Sequence, residues 1–211
     1  AVDRDGTRFR QLVETQRFFL KGPDDGPPLL PWNTFLLDSM GKPVFAPLVD
    51  IVDDPFIAQA YASSPFDQEG VTCQRRSIIE KGVVRGYFLS AYSARKLGMQ
   101  STGNAGGNHN LLVTPTMRGD TAVLARQMGR GLVVTELMGQ GVNPVTGDYS
   151  RGAAGFWVEG GEIAYPVSEI TIAGNLLDLY QRIVAIGDDI DRRGSKLVGS
   201  LLIESMQIAG T

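Results

Sequence analysis

The residue types that could act on a substrate are few in this sequence. The chain has a single histidine, His109, and a single cysteine, Cys73. A zinc site needs three or four His, Cys, Asp or Glu ligands, commonly with two histidines one helical turn apart, and a serine triad needs an imidazole oriented by an acid. One imidazole is available for either chemistry. We interpret His109 as a donor to a backbone carbonyl that holds its glycine-rich loop, and Cys73 as a small buried hydrophobic residue.

Other motifs are incomplete for the chemistry they resemble. Ser150 has glycine neighbours in GDYSRG but lacks the G-x-S-x-G spacing of a nucleophile elbow. The loop QSTGNAGGNHN lacks the Lys-Ser/Thr of a phosphate-binding loop, and GQGVNP has Pro144 where a dinucleotide fingerprint has its third glycine. Asp188, Asp189 and Asp191 stand beside two arginines, which is typical of a solvated charge cluster. The sequence therefore disfavours serine hydrolysis, nucleotide binding and catalysis by paired carboxylates.

A polar set between glycines is the best candidate for contact with a substrate or partner. It consists of Asp148, Tyr149 and Arg151, and we add His109 to it. Arg151 could anchor a carboxylate or a peptide terminus through its guanidinium fork, or it could form a salt bridge that stabilises the loop. The extended, glycine-lined backbone around it could accept another chain as an added strand. Alternatively, these strands pair with one another inside one domain or across a dimer.

Turn residues predict the strands that position this set. GFWVEGGEIAYPV alternates apolar and polar residues around Glu159-Gly160-Gly161 and predicts a β-hairpin. The preceding GDYSRGAAG is too rich in glycine to predict a regular element. VTCQRRSII and VVRGYFLS predict a second hairpin around Glu80-Lys81-Gly82. GLVVTELMG predicts a buried strand, and KLVGSLLIESMQIAG predicts one long strand or two short ones.

Cap residues predict a few short helices. Ser90 is suited to cap AYSARKL and Asp120 to cap TAVLARQM, with Gly98 and Gly129 where the helices end. NLLDLYQRIVAI places apolar residues on one helical face and predicts a helix that Gly187 stops. A further short helix is predicted from Phe9 to Leu20. Several hairpins with few helices predict an α+β fold around a mostly antiparallel sheet.

Composition bounds the partners and the compartment. A net charge of -3 and a pI near 5.2, without a basic cluster, disfavour direct binding to nucleic acid. No window approaches the eighteen apolar residues of a membrane span, so we expect no membrane association. A single cysteine excludes an internal disulfide framework and favours a reducing compartment, for which the cytoplasm is the default expectation.

The domain prediction divides the chain near residue 33. Residues 1–33 are predicted to be an irregular or linker segment, because KGPDDGPPLLP has too much proline and glycine for regular structure from Gly22 to Pro31. Residues 34–211 have the composition of a compact domain.

Long motifs in this domain resemble a known family. GLVVTELMGQGVNPVTGDYSRGAAGFWVEGGEIAYPVSEITIAGN, YSARKLGMQSTGNAGGNHN and the ending GSLLIESMQIAG closely resemble the C-terminal half of the TldD/PmbA family, long labelled modulators of DNA gyrase. The resemblance covers about Thr34 to Gly210, and residues 1–33 do not match the family pattern. It implies a C-terminal domain built largely of β-strands in a chain about twice this length.

The resemblance also implies a function. Family members assemble into a heterodimeric zinc metalloprotease that acts on unfolded peptides, with the metal on the TldD-type subunit in a His-Glu-x-x-x-His motif plus a late cysteine. Neither feature is present here, so the sequence resembles the partner that holds no metal and guides the substrate, with zinc expected on a TldD-type subunit. Two alternatives stay open: an active homodimeric metallopeptidase with ligands outside this stretch, and a non-enzymatic protein-binding modulator of DNA gyrase.

Overall fold

The computed structural model of the chain describes residues 9–13 and 34–210. Within these residues the chain forms two compact units. Unit 1 contains residues 9–13, 115–190 and 198–210, and unit 2 contains residues 34–114 and 191–197. The linker predicted from Gly22 to Pro31 lies outside the described residues.

The described residues form eleven strands and three short helices. In chain order these are β1 (Phe9–Val13), β2 (Ile51–Asp54), β3 (Arg76–Glu80), β4 (Val83–Val84), α1 (Ala91–Leu97), β5 (Asn110–Val113), α2 (Thr121–Met128), β6 (Gly131–Met138), β7 (Asp148–Glu159), β8 (Glu162–Asn175), α3 (Leu176–Gln181), β9 (Ile183–Ile186), β10 (Lys196–Leu197) and β11 (Leu201–Ala209).

Unit 2 is built on one five-stranded sheet in the order β10-β5-β2-β3-β4. The central strand β2 pairs antiparallel with β3 and with β5, and β10 lies parallel to β5. The hairpin predicted around Glu80-Lys81-Gly82 is confirmed, because β3 and β4 pair on either side of Lys81 and Gly82. Gly82 has a φ of 78°, which an L side chain adopts only with strain.

Unit 1 is built on a six-stranded sheet in the order β1-β6-β7-β8-β11-β9, with an additional pairing of β1 with β11. The pairings of β1 with β6 and with β11 close five of these strands into a hydrogen-bonded ring. The longest neighbours, β7 and β8, form the hairpin predicted from GFWVEGGEIAYPV, and its turn glycines Gly160 and Gly161 have φ values of 61° and 83°.

Helix α2 supplies one side of the core of unit 1. Asp120 caps it by accepting hydrogen bonds from the backbone N–H groups of Ala122 and Val123, as its sequence position predicts. Its apolar face is buried with residues of four strands. The cluster contains Leu124, Ala125, Met128, Val133, Val158, Ala185 and Leu202.

Two predicted helices are wrong in part. The helix predicted from Phe9 to Leu20 is a strand over Phe9–Val13, and its remaining residues lie outside the described part of the chain. The helix predicted to run to Gly187 ends after Gln181, and Ile183–Ile186 form β9. β9 is an IVAI segment that pairs with β11, so partner hydrogen bonds and β-branched side chains outweigh the local helical pattern.

The α+β prediction is confirmed, because both sheets are mostly antiparallel and the described helices are short. In the described part of the chain no helix is long and apolar enough to cross a membrane.

Candidate functional site

The glycine-rich start of β7 is a regular strand that lies very close to its neighbours. The sequence predicted no regular element there, which is wrong, because Asp148–Glu159 form one strand. A Cβ added to Gly155 would collide with the carbonyl oxygen of Val133 on β6, and one added to Gly141 would collide with the carbonyl oxygen of Ser150. Glycine is therefore used at these positions because neighbouring backbone occupies the space of a side chain.

Asp148 begins β7 on the solvent-exposed side and is held by two side chains. Its carboxylate accepts hydrogen bonds from Thr146 Oγ1 at 2.6 Å and from Asn175 Nδ2 at 3.2 Å. These two hydrogen bonds lower the pKa of Asp148 below its ordinary value, because they stabilise the charged form. Asp148 is thus a fixed negative charge at neutral pH.

Tyr149 lies on the opposite face of β7 and is buried, with 3% of its surface exposed. Burial raises its pKa to about 12, and the positive charge of Arg151 partly opposes that shift. Tyr180 of α3 is buried as well, and its pKa is raised by burial and then by the neighbouring Tyr149. Both phenols are therefore neutral at physiological pH.

The guanidinium of Arg151 is hydrogen-bonded to the loop that precedes β7. One guanidinium nitrogen donates to the carbonyl oxygen of Gly139. Its Nε is buried without a hydrogen-bond partner in the described residues. The salt bridge considered from the sequence is not among the ion pairs of those residues, which join other side chains.

A cleft of about 340 Å³ opens beside Asp148 and Tyr149. β11 pairs with β8 through Gln207–Ala209 and with β9 through Leu201–Ile203, and α3 links the end of β8 to the start of β9. The cleft lies at this change of strand partner. Its lining residues are Asp148, Tyr149, Ala173, Gly174, Asn175, Asp178, Leu179, Arg182, Ser205, Met206 and Gln207.

The cationic group in this cleft is Arg182, which no sequence motif indicated. Arg182 is half-buried directly after α3 and donates from Nη1 to Ser205 Oγ at 3.2 Å. Asp178, one helical turn earlier, also lines the cleft, yet the described ion pairs do not join it to Arg182. The cleft therefore presents guanidinium N–H groups that could donate hydrogen bonds to ligand oxygens.

His109 lies in unit 2, apart in the chain from the β7 set, inside a buried polar network. Asp53 of β2 is fully buried and accepts from the His109 backbone N–H at 2.8 Å, from His109 Nδ1 at 3.1 Å and from Asn104 Nδ2 at 2.8 Å. The predicted partner, a backbone carbonyl, is wrong, since the ring nitrogen is held by a carboxylate 56 residues away. The expected role of holding the loop is retained.

The other ring nitrogen of His109 contacts Cys73. Their Nε2 and Sγ atoms are 3.1 Å apart, and Cys73 is 1% exposed, as predicted for a buried residue. A carboxylate only accepts, so Asp53 fixes the imidazole proton on Nδ1 and leaves Nε2 as the acceptor for the thiol. Burial raises the pKa of Cys73, and the charges of Asp67 and Asp53 raise it further. The thiol is thus protonated at neutral pH.

These groups do not fit a catalytic zinc ion. Asp53 and Cys73 occupy opposite nitrogens of one ring, so a single ion could not bind all three side chains. In the described residues no three His, Cys, Asp or Glu side chains are grouped so that they could hold a metal ion. The structure thus places Asp148 and Tyr149 at the cleft, Arg151 beside them on β7, and His109 in a separate network.

Comparison with known proteins identifies the class of the chain. Residues 29–210 match the family profile described as the PmbA/TldA metallopeptidase C-terminal domain. The Metalloprotease PmbA of Escherichia coli O157:H7 is 54% identical over 178 residues, which are 84% of this chain and 39% of that protein. This chain belongs to the PmbA/TldD metallopeptidase family, and it spans about two fifths of the length of that relative.

Solved structures agree with this assignment. A proposed modulator of DNA gyrase from Bacteroides thetaiotaomicron has a TM-score of 0.87 and 30% identity, covering 97% of this chain and 47% of that one. TldE from Thermococcus kodakarensis has a TM-score of 0.80 at 23% identity over 96% of this chain and 50% of its own, and it shares the fold. The resemblance found in the sequence motifs is therefore confirmed.

Proposed function

We propose that this chain is part of the subunit of a TldD/PmbA-type zinc metalloprotease that holds no catalytic metal and guides unfolded peptides to a TldD-type partner. One observation carries the proposal. The single histidine of the sequence has its two ring nitrogens engaged by Asp53 and Cys73 inside unit 2. The chain therefore matches a metallopeptidase domain, yet both nitrogens of its one imidazole are engaged by side chains of the fold.

The contribution of this chain would be binding. Zinc on the partner subunit would supply a Lewis acid and an activated water. The residues of this chain would hold the peptide at the cleft, where Asp148 is exposed and the buried Tyr149 forms part of the lining, while Arg151 would stabilise the loop before β7. His109 would act indirectly, because it shapes the glycine-rich loop of residues 101–109 from inside.

The test is cleavage of an unfolded peptide by the purified protein alone, by a TldD-type partner alone, and by the two mixed. We expect the mixture to cleave faster than either component, with the gain saturating at a fixed ratio of the two. Cleavage by the purified protein alone would instead support the active homodimer with ligands outside this stretch.

The gyrase hypothesis needs its own assay, since the Bacteroides relative is described as a proposed modulator of DNA gyrase. With a net charge of -3 this chain would have to act through protein contacts. Under the proposed function, gyrase supercoiling is unchanged when the protein is added. A dose-dependent change would favour the modulator role.

A further inference from the structure

We propose that the cleft between β8, β11 and α3 is a binding site for a peptide carboxylate, with Arg182 as its anchor. This proposal rests on the proposed function, since it names the part of a peptide that the guiding subunit would hold. The sequence had offered Arg151 for the same chemistry. In the structure the guanidinium of Arg151 donates to Gly139, whereas Arg182 lines a cleft.

The position of Arg182 suits an anion. The side chain is half-buried, and Ser205 is the side-chain hydrogen-bond partner that the described residues give its guanidinium. The Ser205 hydroxyl accepts from Arg182, so its own proton is free to be donated to a ligand oxygen. Guanidinium and hydroxyl together match a carboxylate, for which arginine has a planar, two-pronged geometry.

The size of the cleft suits a chain end. At about 340 Å³ it lies near the lower limit of small-molecule pockets. It forms where β11 changes partner from β9 to β8, and its walls are the start of β7, the end of β8, the middle of β11 and the helix α3. An extended peptide end can enter such an opening while the rest of the chain continues outside.

Two carboxylates at the cleft would repel an anion, and we expect this repulsion to be weaker than the attraction by Arg182. Asp148 and Asp178 are solvent-exposed, so the high dielectric constant of water weakens their repulsion of an anion. Arg182 is half-buried and less screened. Asp148, whose negative charge is stabilised by Thr146 and Asn175, and Asp178 would together disfavour an acidic side chain next to the bound terminus.

The experiment measures binding, and so is independent of proteolysis. Fluorescence anisotropy of the purified protein would compare one labelled unstructured peptide with a free C-terminus, the same peptide amidated, and the amidated peptide with a C-terminal glutamate. We expect the free acid to bind about tenfold tighter than the plain amide, in line with one charge-assisted hydrogen bond. If the glutamate amide binds as tightly as the free acid, the carboxylate site holds and accepts either source; if only the free acid binds tightly, the source is the chain terminus.

Variants locate the site. Arg182→Gln removes the difference between acid and amide, Arg182→Lys retains part of it, and Ser205→Ala reduces it. Asp178→Asn in the same cleft does not weaken binding of the acid, and Arg192→Gln, an exposed arginine that does not line the cleft, changes nothing. Circular dichroism confirms that each variant is folded.

The outcomes separate this proposal from the proposed function. Equal binding of acid and amide, no measurable binding of either, or unaltered discrimination in a folded Arg182→Gln variant overturns the carboxylate site, even if the mixture with a partner cleaves peptides. Acid-specific binding that depends on Arg182, combined with no cleavage by the mixture, supports the site and overturns the proposed function.

Discussion

Replacing Asp53 by asparagine tests whether the His109 network is structural. Asp53 is fully buried and accepts from three donors, the His109 backbone N–H, His109 Nδ1–H and Asn104 Nδ2. Asparagine has the same shape but one of its two oxygens becomes an amide donor. Whichever way the amide is turned, at least one N–H of the network then faces another donor.

The magnitude follows from the number of lost acceptors. If the amide nitrogen takes the place of Oδ2, two buried donors lose their partner, and each unsatisfied buried group costs about 1–3 kcal/mol. Turning the amide leaves the His109 backbone N–H unpaired instead, so relaxation favours the cheaper of the two arrangements. That arrangement leaves one buried donor unpaired, so we expect a loss of about 1–3 kcal/mol in the free energy of unfolding.

The assay is equilibrium unfolding in urea followed by circular dichroism, with zinc content and peptide cleavage measured on the mixture with a TldD-type partner. Asp38→Asn is the matched control, because Asp38 is exposed and a surface substitution usually stays within about 0.5 kcal/mol. A wild-type unfolding curve for Asp53→Asn would contradict the structural role of the network. Loss of zinc from the mixture by a variant that is still folded would contradict it as well, since His109 would then serve the metal.

Three further predictions concern pH, packing and capping. The Cys73 thiol stays protonated to a higher pH in the folded chain than in the unfolded chain. Its contribution to the free energy of unfolding is therefore constant below about pH 9 and is lost as the pH rises above that value. We expect the free energy of unfolding of Cys73→Ala, measured in urea at pH 9 and 10, to decline less steeply than that of the wild type. Gly155→Ala places a Cβ against the Val133 carbonyl and lowers the free energy of unfolding by about 1–3 kcal/mol, while Gly152→Ala, where the nearest atom is 3.4 Å away, is nearly neutral. Asp120→Ala removes the N-cap of α2 and lowers the free energy of unfolding, measured by calorimetry, by about 1 kcal/mol. A wild-type slope in Cys73→Ala, equal effects of the two glycine variants, or a neutral Asp120→Ala would contradict the respective arguments.

Features set by neighbouring residues were predictable from the sequence. The caps at Ser90 and Asp120 and the turn at Gly160-Gly161 depend on groups within a few residues, and all three are found. β9 was missed because its IVAI segment continues a helical pattern locally, while the partner that makes it a strand, β11, lies about 15 residues further on.

The site was predictable only in part for the same reason. Asp148 and Tyr149 were predicted as candidates because they lie between glycines, and both line the cleft. Arg182 lies in an ordinary helical sequence, and its significance comes from Ser205, which is 23 residues away. The one available signal was the i, i+4 pairing of Asp178 with Arg182, which on a helix surface usually indicates a solvated ion pair.

Zinc stoichiometry of the separated subunits tests the central claim most directly. The active mixture of this protein with a TldD-type partner would be resolved under conditions that retain tightly bound metal, and zinc would be measured in each subunit. We expect about one zinc per partner subunit, as one catalytic site per heterodimer requires, and none in this protein. Stoichiometric zinc in this protein after separation, together with peptide cleavage by it alone, would contradict the account.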